Sequence, residues 1–290
     1  AKGMVTTFSS EAAQSRGVAA DASGGVIAAG DFNKTVNFGN GPVSSHLPGN
    51  LDGFIAKYSA QGNLEWSKII GAAPDDSITG VAVDSQDNII VVGYFADTVN
   101  FGGVSLTAPR SPSGQAVPDM FVAKYTPSGV LIWAKQFGGT APDFGTAVAV
   151  DANDNIFFVG WFGSSDANFG GIPLSVNVVG NLNFTVAKLS ANGTAVWARA
   201  WGGSVTKALA LGVDRFGDVV VAGQFSGNAT VGTNLLVSTG LNTILLAKFS
   251  GNGDSLWAKG FGGPTGNNIG AGVTTDPRTG NIILSGGFTS

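Results

Sequence analysis

Short runs of β-branched and aromatic residues, separated by Gly, Asn, Asp and Ser, recur along the whole chain. Gly80-Val81-Ala82-Val83-Asp84 is followed by a three-residue turn and then by Asn88-Ile89-Ile90-Val91-Val92-Gly93-Tyr94-Phe95, a pattern that predicts a hairpin of two strands, a and b. The pair returns at 17–21 with 26–32, 147–151 with 155–162, 211–214 with 218–225, and 272–276 with 281–288. A variable connection holding Asn37-Phe38-Gly39, Asn100-Phe101-Gly102, Asn168-Phe169-Gly170 or the degenerate Thr230-Val231-Gly232 leads to strand c at 54–58, 121–125, 185–189 and 245–249. Strand d then carries Trp66, Trp133, Trp197 or Trp257, each followed by Ala or Ser and a basic residue. No segment of useful length has the three-four spacing of a helix.

The tryptophans are 67, 64 and 60 residues apart, and the turn aspartates Asp21, Asp84, Asp151, Asp214 and Asp276 are 63, 67, 63 and 62 apart. A four-stranded meander repeated at this period predicts an all-β chain, a β-propeller of four-stranded antiparallel blades. One such unit is too small to cover both its faces, so stacked neighbours must close the core. The small residues of strand a suit a crowded inner position, and the tryptophan of strand d suits the outer one. The blades are expected at 14–72, 77–139, 144–203, 207–263 and 269–290, within a single domain over 1–290. Ala1-Lys2-Gly3-Met4 aligns with Ala258-Lys259-Gly260-Phe261, so residues 1–8 are expected to complete the fifth blade. The alternative is a fragment of a six- or seven-bladed propeller.

The pattern Gly80-Val81-Ala82-Val83-Asp84-x-x-x-Asn88-Ile89-x-Val91-x-Gly93 resembles the SBBP β-propeller repeat of exported and cell-surface bacterial proteins. The resemblance extends through Asp52-Gly53-Phe54-Ile55-Ala56-Lys57-Tyr58 and Trp133-Ala134-Lys135-Gln136-Phe137-Gly138-Gly139, and so covers nearly the whole chain. It implies an extracellular, cell-surface or periplasmic module, and it brings no catalytic or binding residues with it.

Composition narrows the functions further. The 290 residues include 45 glycines, 43% are hydrophobic, and only 12% are charged, with a net charge of -4. No basic stripe is present for nucleic acid or an anionic membrane surface, and no run of apolar residues is long enough to span a bilayer as a helix. The absence of cysteine removes disulfides, thiolate nucleophiles and Cys-ligated zinc. His46, the one histidine, stands in Ser44-Ser45-His46-Leu47-Pro48 without a nucleophile elbow, and reads as a loop residue. The acidic turns lack the convergent oxygens of a calcium loop and read as side chains that bond their own turn backbone. The lysines of strands c and d read as cover for apolar surface and protection of an edge. Gly138-Gly139 and Gly202-Gly203 read as turns. Four Asn-x-Thr triplets, at Asn33, Asn183, Asn192 and Asn228, arise freely in a chain of this composition. No catalytic residue, metal site or cofactor is expected.

Within a repeat, positions that never change serve the fold, while positions that always change are free to serve a partner. The residue between the strand-b glycine and phenylalanine is Asp31, Tyr94, Trp161, Gln224 and Gly287 in turn. Asp76, Asp143, Thr206 and Asn268, at the starts of the a strands, are expected on the same face, exposed with them. The expected function is a non-enzymatic, extracellular or cell-surface binding, adhesion or structural scaffold with a protein or glycan partner. The alternative is a carbohydrate-binding or carbohydrate-active propeller.

Overall fold

The computed structural model describes residues 5–6, 13–72, 74–111, 113–175, 181–238 and 240–289. Among them every regular element is a strand, and no helix is long and apolar enough to cross a membrane. Two compact units, Ala1–Gln136 and Phe137–Ser290, each carry copies of the repeat.

In the first unit, β1 (Val5–Thr6) pairs with β4 (Thr35–Asn37), which pairs in turn with β5 (Pro42–Ser44). The expected completion of the fifth blade by residues 1–8 falls mostly outside the described residues. The first sheet runs in the order β2 (Ala13–Ala20), β3 (Val26–Phe32), β6 (Asp52–Tyr58), β7 (Leu64–Ile70). The second repeats it with β8 (Ser77–Val83), β9 (Ile89–Phe95), β12 (Asp119–Tyr125) and β13 (Leu131–Phe137), and the hairpin β10 (Thr98–Asn100) with β11 (Ser105–Thr107) fills its b-to-c connection. β8 packs across β2 and β3, so strand a of one sheet covers the face of its predecessor.

The second unit holds the third sheet, β14 (Asp143–Val150), β15 (Ile156–Phe162), β18 (Asn183–Leu189) and the first half of β19 (Ala195–Val213), with β16 (Ala167–Asn168) and β17 (Pro173–Leu174) in the connection. The second half of β19 is strand a of the fourth sheet, followed by β20 (Val219–Val231), which also carries β21 (Asn234–Val237), then β22 (Thr243–Phe249) and β23 (Ser255–Phe261). β19 therefore corrects the reading of Gly202-Gly203 as a turn. The strand passes through both glycines, pairing Gly202 with Asn183 and Thr230 and Gly203 with Ala229, and its register slips between Gly203 and Val205. Gly138, the other expected turn, bridges to Asn168. β24 (Ile269–Thr275) and β25 (Ile282–Gly287) form a two-stranded sheet. Ile283 and Phe288 there are 57% and 70% exposed, whereas the matching Ile27 and Phe32 of the first sheet are 0% and 1% exposed beneath a full set of strands.

A bulge explains the strand-b glycine. Every a–b pair slips by one residue at the same place, between Ser15 and Gly17, Ile78 and Gly80, Gly145 and Ala147, Ala208 and Ala210, and Gly270 and Gly272. The slip aims a strand-a carbonyl at the glycine. A Cβ on Gly30 or Gly93 would lie 1.9 Å from the oxygen of Gln14 or Ser77, and one on Gly223 2.0 Å from that of Lys207. No side chain fits there. The Asn-Phe-Gly segments have a structural reason as well. Asn37 and Asn100 Oδ1 accept from Gly39 and Gly102 N–H at 2.8 Å each, and Phe38 and Phe101 are buried against Phe32, Phe54, Phe95 and Phe121. These hairpins each add a buried phenylalanine to the core of the first and second sheets.

The turn aspartates do bond their own turns. Oδ1 of Asp84 accepts from Gln86 and Asn88 N–H at 2.9 Å, and Asp21, Asp151 and Asp214 repeat the geometry. Their second oxygens meet the strand-c lysines, Asp84 with Lys124 at 2.8 Å, Asp21 with Lys57 at 3.1 Å and Asp214 with Lys248 at 2.9 Å. This corrects the edge role expected for those lysines. Strand c lies inside the sheet, Lys57 and Lys124 are buried, and each neutralises a buried carboxylate. Trp66 and Lys57 then donate to one acceptor, the carbonyl of Pro127 in the next repeat, at 3.0 and 3.3 Å. Trp197 and Lys188 do the same to Gly251 at 3.1 and 3.4 Å.

Gly93→Ala is expected to lower stability by about 3 kcal/mol or more, because the displaced carbonyl belongs to a strand and cannot relax. Gly263→Ala, whose Cβ would meet nothing within 4 Å, is the control and is expected to leave the unfolding free energy from urea titration within about 0.5 kcal/mol of the parent.

Candidate functional site

The strand-b ends do carry side chains of changing chemistry, and each meets a strand-a residue across the pair. Asp31 lies opposite Gln14, Tyr94 opposite Ser77, Trp161 opposite Phe144, and Gln224 opposite Lys207. In the first unit Asp31 is buried. Its Oδ2 accepts from Arg16 Nε at 2.8 Å and from Ser77 Oγ at 2.7 Å, which draws two adjacent sheets together. Tyr94 is half-buried beside them, and burial, reinforced by the charge of Asp31, pushes its phenol above the ordinary tyrosine range. Arg16, with 44% of its side chain exposed, carries the cluster's outward charge.

The second unit uses an aromatic instead of an ion pair. The Trp161 ring stacks on Phe144 with centroids 4.2 Å apart and an interplanar angle of 21°, and the Lys207 ammonium lies 4.3 Å from the Trp161 centroid. Phe144, Trp161, Lys207 and Gln224 are each partly exposed. A stacked indole with a cation at van der Waals distance is a pre-organised contact surface, since both partners are held before anything binds. Gly287 of the last hairpin is exposed and faces Ile269.

The strand-a starts behave differently from the expectation of an exposed ring. Asp76, Asp143, Thr206 and Asn268 are all buried, at 1%, 0%, 0% and 1% exposure. Asp76 Oδ2 accepts from Ala72 N–H at 2.7 Å and Oδ1 from Ala96 N–H at 2.9 Å. Asp143 accepts from Gly139 N–H and Ser164 Oγ at 2.7 Å each, and from Gly163 N–H at 3.1 Å. Each carboxylate therefore ties the d-to-a connection before it to the chain leaving strand b. Asn268 instead donates from Nδ2 to the carbonyl of Asn242 at 3.1 Å. Asp76, Asp143 and Asn268 thus fix the chain around the strand-a starts, and none of the four buried residues offers a surface of its own.

Sequence reasoning missed Arg16, Ser77, Phe144 and Lys207. For Ser77, Phe144 and Lys207 a signal was present: the residue 17 positions before each of Asp31, Tyr94, Trp161 and Gln224 changes as freely as they do, and the strand pairing makes those two positions cross-strand neighbours, whereas that rule points to Gln14 and passes over Arg16.

His46 is more than a free loop residue. Asp52, buried at the start of strand c, accepts from the His46 backbone N–H at 2.7 Å, and its Oδ2 lies 2.7 Å from the ring Nδ1. A buried carboxylate that orients an exposed imidazole is one part of an acid-base device. Among the described hydrogen bonds, however, none joins His46 to a hydroxyl, and among the described residues no three His, Cys, Asp or Glu side chains converge as metal ligands.

Asp76 and Asp143 make the stability depend on pH. Burial, only partly offset by the backbone N–H groups, pushes Asp76 up to about 7 and Asp143 up to about 6. An unfolded aspartate titrates near about 3.9, so between pH 4 and 7 folding takes up protons and stability falls as pH rises. The slope is at most about 1.4 kcal/mol per pH unit for each group. Asp84 and Asp214 act oppositely. For both, burial favours the neutral acid but is outweighed by the lysine and backbone hydrogen bonds, so their pKa values are lowered and their contribution disappears as pH falls below about 4. Melting temperature by circular dichroism is expected to peak near pH 4 to 5 and to decline toward pH 8, and Asp76→Asn is expected to flatten that decline.

Residues 65–94 and 132–170 match the family model described as SBBP, Beta-propeller repeat. An uncharacterized WD repeat-containing protein of Acanthamoeba polyphaga mimivirus is 30% identical over 161 residues, which is 52% of this chain and 12% of that protein. The chain thus spans about an eighth of the length of that curated relative. Among solved structures, the WD40 domain of Neurospora crassa Pan2 aligns with a TM-score of 0.46 and 12% identity over 94% of this chain and 72% of that one. A Bacteroides caccae protein of unknown function aligns with a TM-score of 0.27 and 9% identity over 80% of this chain and 93% of that one. The two matched segments carry the SBBP β-propeller repeat, and the same four-stranded antiparallel meander recurs in the sheets around them.

Proposed function

We propose that this chain is a non-enzymatic binding scaffold, extracellular or at the cell surface, which engages a protein or glycan partner through the strand-b ends. The carrying observation is the Phe144–Trp161–Lys207 stack in the second unit, a rigid and partly exposed aromatic-cation surface. It occupies a position that differs in every repeat, while the residues on either side of it are fixed by the bulge and by the core. Aromatic rings held in one conformation lose little entropy on binding, which is why they dominate interface energetics. In the first unit the matching positions hold Gln14 opposite Asp31 and Ser77 opposite Tyr94, a different local chemistry from the aromatic stack. The extracellular placement is supported by the resemblance of the repeat to those of exported proteins.

Peptide and glycan arrays probed with the full chain supply the partner, and Trp161→Ala with Lys207→Ala supplies the test. The double variant is expected to weaken binding by about 100-fold, the loss of roughly 3 kcal/mol typical of an aromatic anchor, while its melting temperature stays close to that of the parent. Undiminished binding by a folded double variant overturns the assignment.

A further inference from the structure

The turn end of the second unit carries a cavity of about 380 Å³ between the third and fourth sheets, remote in the strands from the Trp161 platform. Its walls come from the a-to-b turns of both sheets and the c-to-d turn of the fourth. The matching junction of the first unit is bridged, and three substitutions account for the difference.

In the first unit, Asp87 reaches across to the preceding turn, where its Oδ1 accepts from Ala22 N–H at 2.8 Å. The equivalent residue in the second unit is Gly217, which has no side chain to make that bridge, and a Cβ placed on it would meet nothing within 4 Å. Lys57 is held by Asp21 at 3.1 Å and Glu65 at 3.4 Å, but Val196 replaces the glutamate beside Lys188. Lys188 is left 3.9 Å from Asp151 and 3.4 Å from the Gly251 carbonyl. Finally, the third turn residue, which is Ser23, Gln86, Asn153 and Arg278 elsewhere, is Phe216 in the fourth sheet, 72% exposed at the cavity's edge.

The lining chemistry selects a ligand class. Asp151 and Asp218 oppose an anion, and Lys188, with Lys248 lying 3.0 Å from Asp218, opposes a cation. What remains is a neutral molecule with many hydroxyls. The Asp218 carboxylate accepts from hydroxyl groups, and the exposed amides of Asn153 and Asn252 both accept from and donate to them, while Asp151 stays engaged with its own turn and Lys188 with the Gly251 carbonyl. The Phe216 ring offers an apolar surface to a face of C–H groups. The volume lies in the range of sites for small ligands.

We propose that this cavity is a carbohydrate subsite that holds one hexose ring by hydrogen bonds to Asn153, Asp218 and Asn252 and by packing on Phe216. The sugar is either a free monosaccharide or a unit of a glycan chain. The site is independent of the strand-b platform, so either can fail without the other.

The full chain is titrated with the methyl glycosides of glucose, galactose and mannose and with the corresponding trisaccharides, followed by calorimetry and amide chemical shifts. At least one sugar is expected to saturate with a dissociation constant of about 1 mM, the ordinary strength of a single-ring site. Saturation by a methyl glycoside assigns a free-sugar site, and saturation by trisaccharides alone assigns a glycan site. Gly217→Asp restores the bridging residue of the first unit, and the backbone tolerates it: Asp87 and Asp154 hold φ of 61° where Gly217 has 80°. This variant is expected to keep its melting temperature and to lose affinity by about 10-fold or more, as is Phe216→Ala. Trp161→Ala is expected to bind as the parent does. No saturation by any of these sugars, or unchanged affinity in a folded Gly217→Asp variant, overturns the proposal.

Discussion

A single carbonyl oxygen that accepts an indole N–H and a lysine ammonium from the preceding repeat is the contact on which this architecture turns. Pro127 receives Trp66 and Lys57 in the first unit, and Gly251 receives Trp197 and Lys188 in the second. The lysine also holds the turn aspartate of its own sheet, so one side chain fixes the turn within a repeat and the register between repeats. Burying an ion pair rarely adds much net stability, because desolvation consumes most of the Coulomb gain. Its value here is directional. Apolar faces of short strands stack in many registers, whereas a paired aspartate, lysine and carbonyl accept only one.

That division of labour explains which parts of the structure are legible in the sequence. Strand positions follow from alternation and turn residues, and the repeat makes each inference count several times. The strand-b glycine is visible as an invariant, but its cause is not: the carbonyl that excludes a side chain comes from a bulge on the neighbouring strand, and a bulge leaves no mark on strand b itself. The strand-c lysines resemble edge protection for the same reason. A basic residue in an apolar run signals an exposed edge only when no buried acid lies beside it, and Asp84 is some forty positions from Lys124. Gly202-Gly203 continues as strand because paired glycines permit a sharp change of direction as readily as a turn.

The burial of Asp76 and Asp143, where the sequence suggests an exposed face, has a deeper cause. An aspartate just before or at a strand start is commonly a solvated turn residue. Here its acceptors are needed because two chain crossings converge at that point and leave backbone N–H groups facing inward. A carboxylate with two oxygens satisfies both crossings, and burial then raises its pKa. The acid that looks most like a functional group by its titration is therefore a structural clamp.

Function in such a chain has to be read where the repeats disagree. At the strand-b ends the disagreement is between Asp31, which an ion pair with Arg16 draws inward, and Trp161, which stacks on Phe144, so one strand-b position carries two different chemistries. At the turn ends it is between Asp87, which closes a junction, and Gly217, which opens one. The scaffold tolerates both exchanges because neither residue contributes to the aspartate–lysine–carbonyl chain that sets the register. Freedom from that chain, more than exposure alone, is what leaves a position open to a partner.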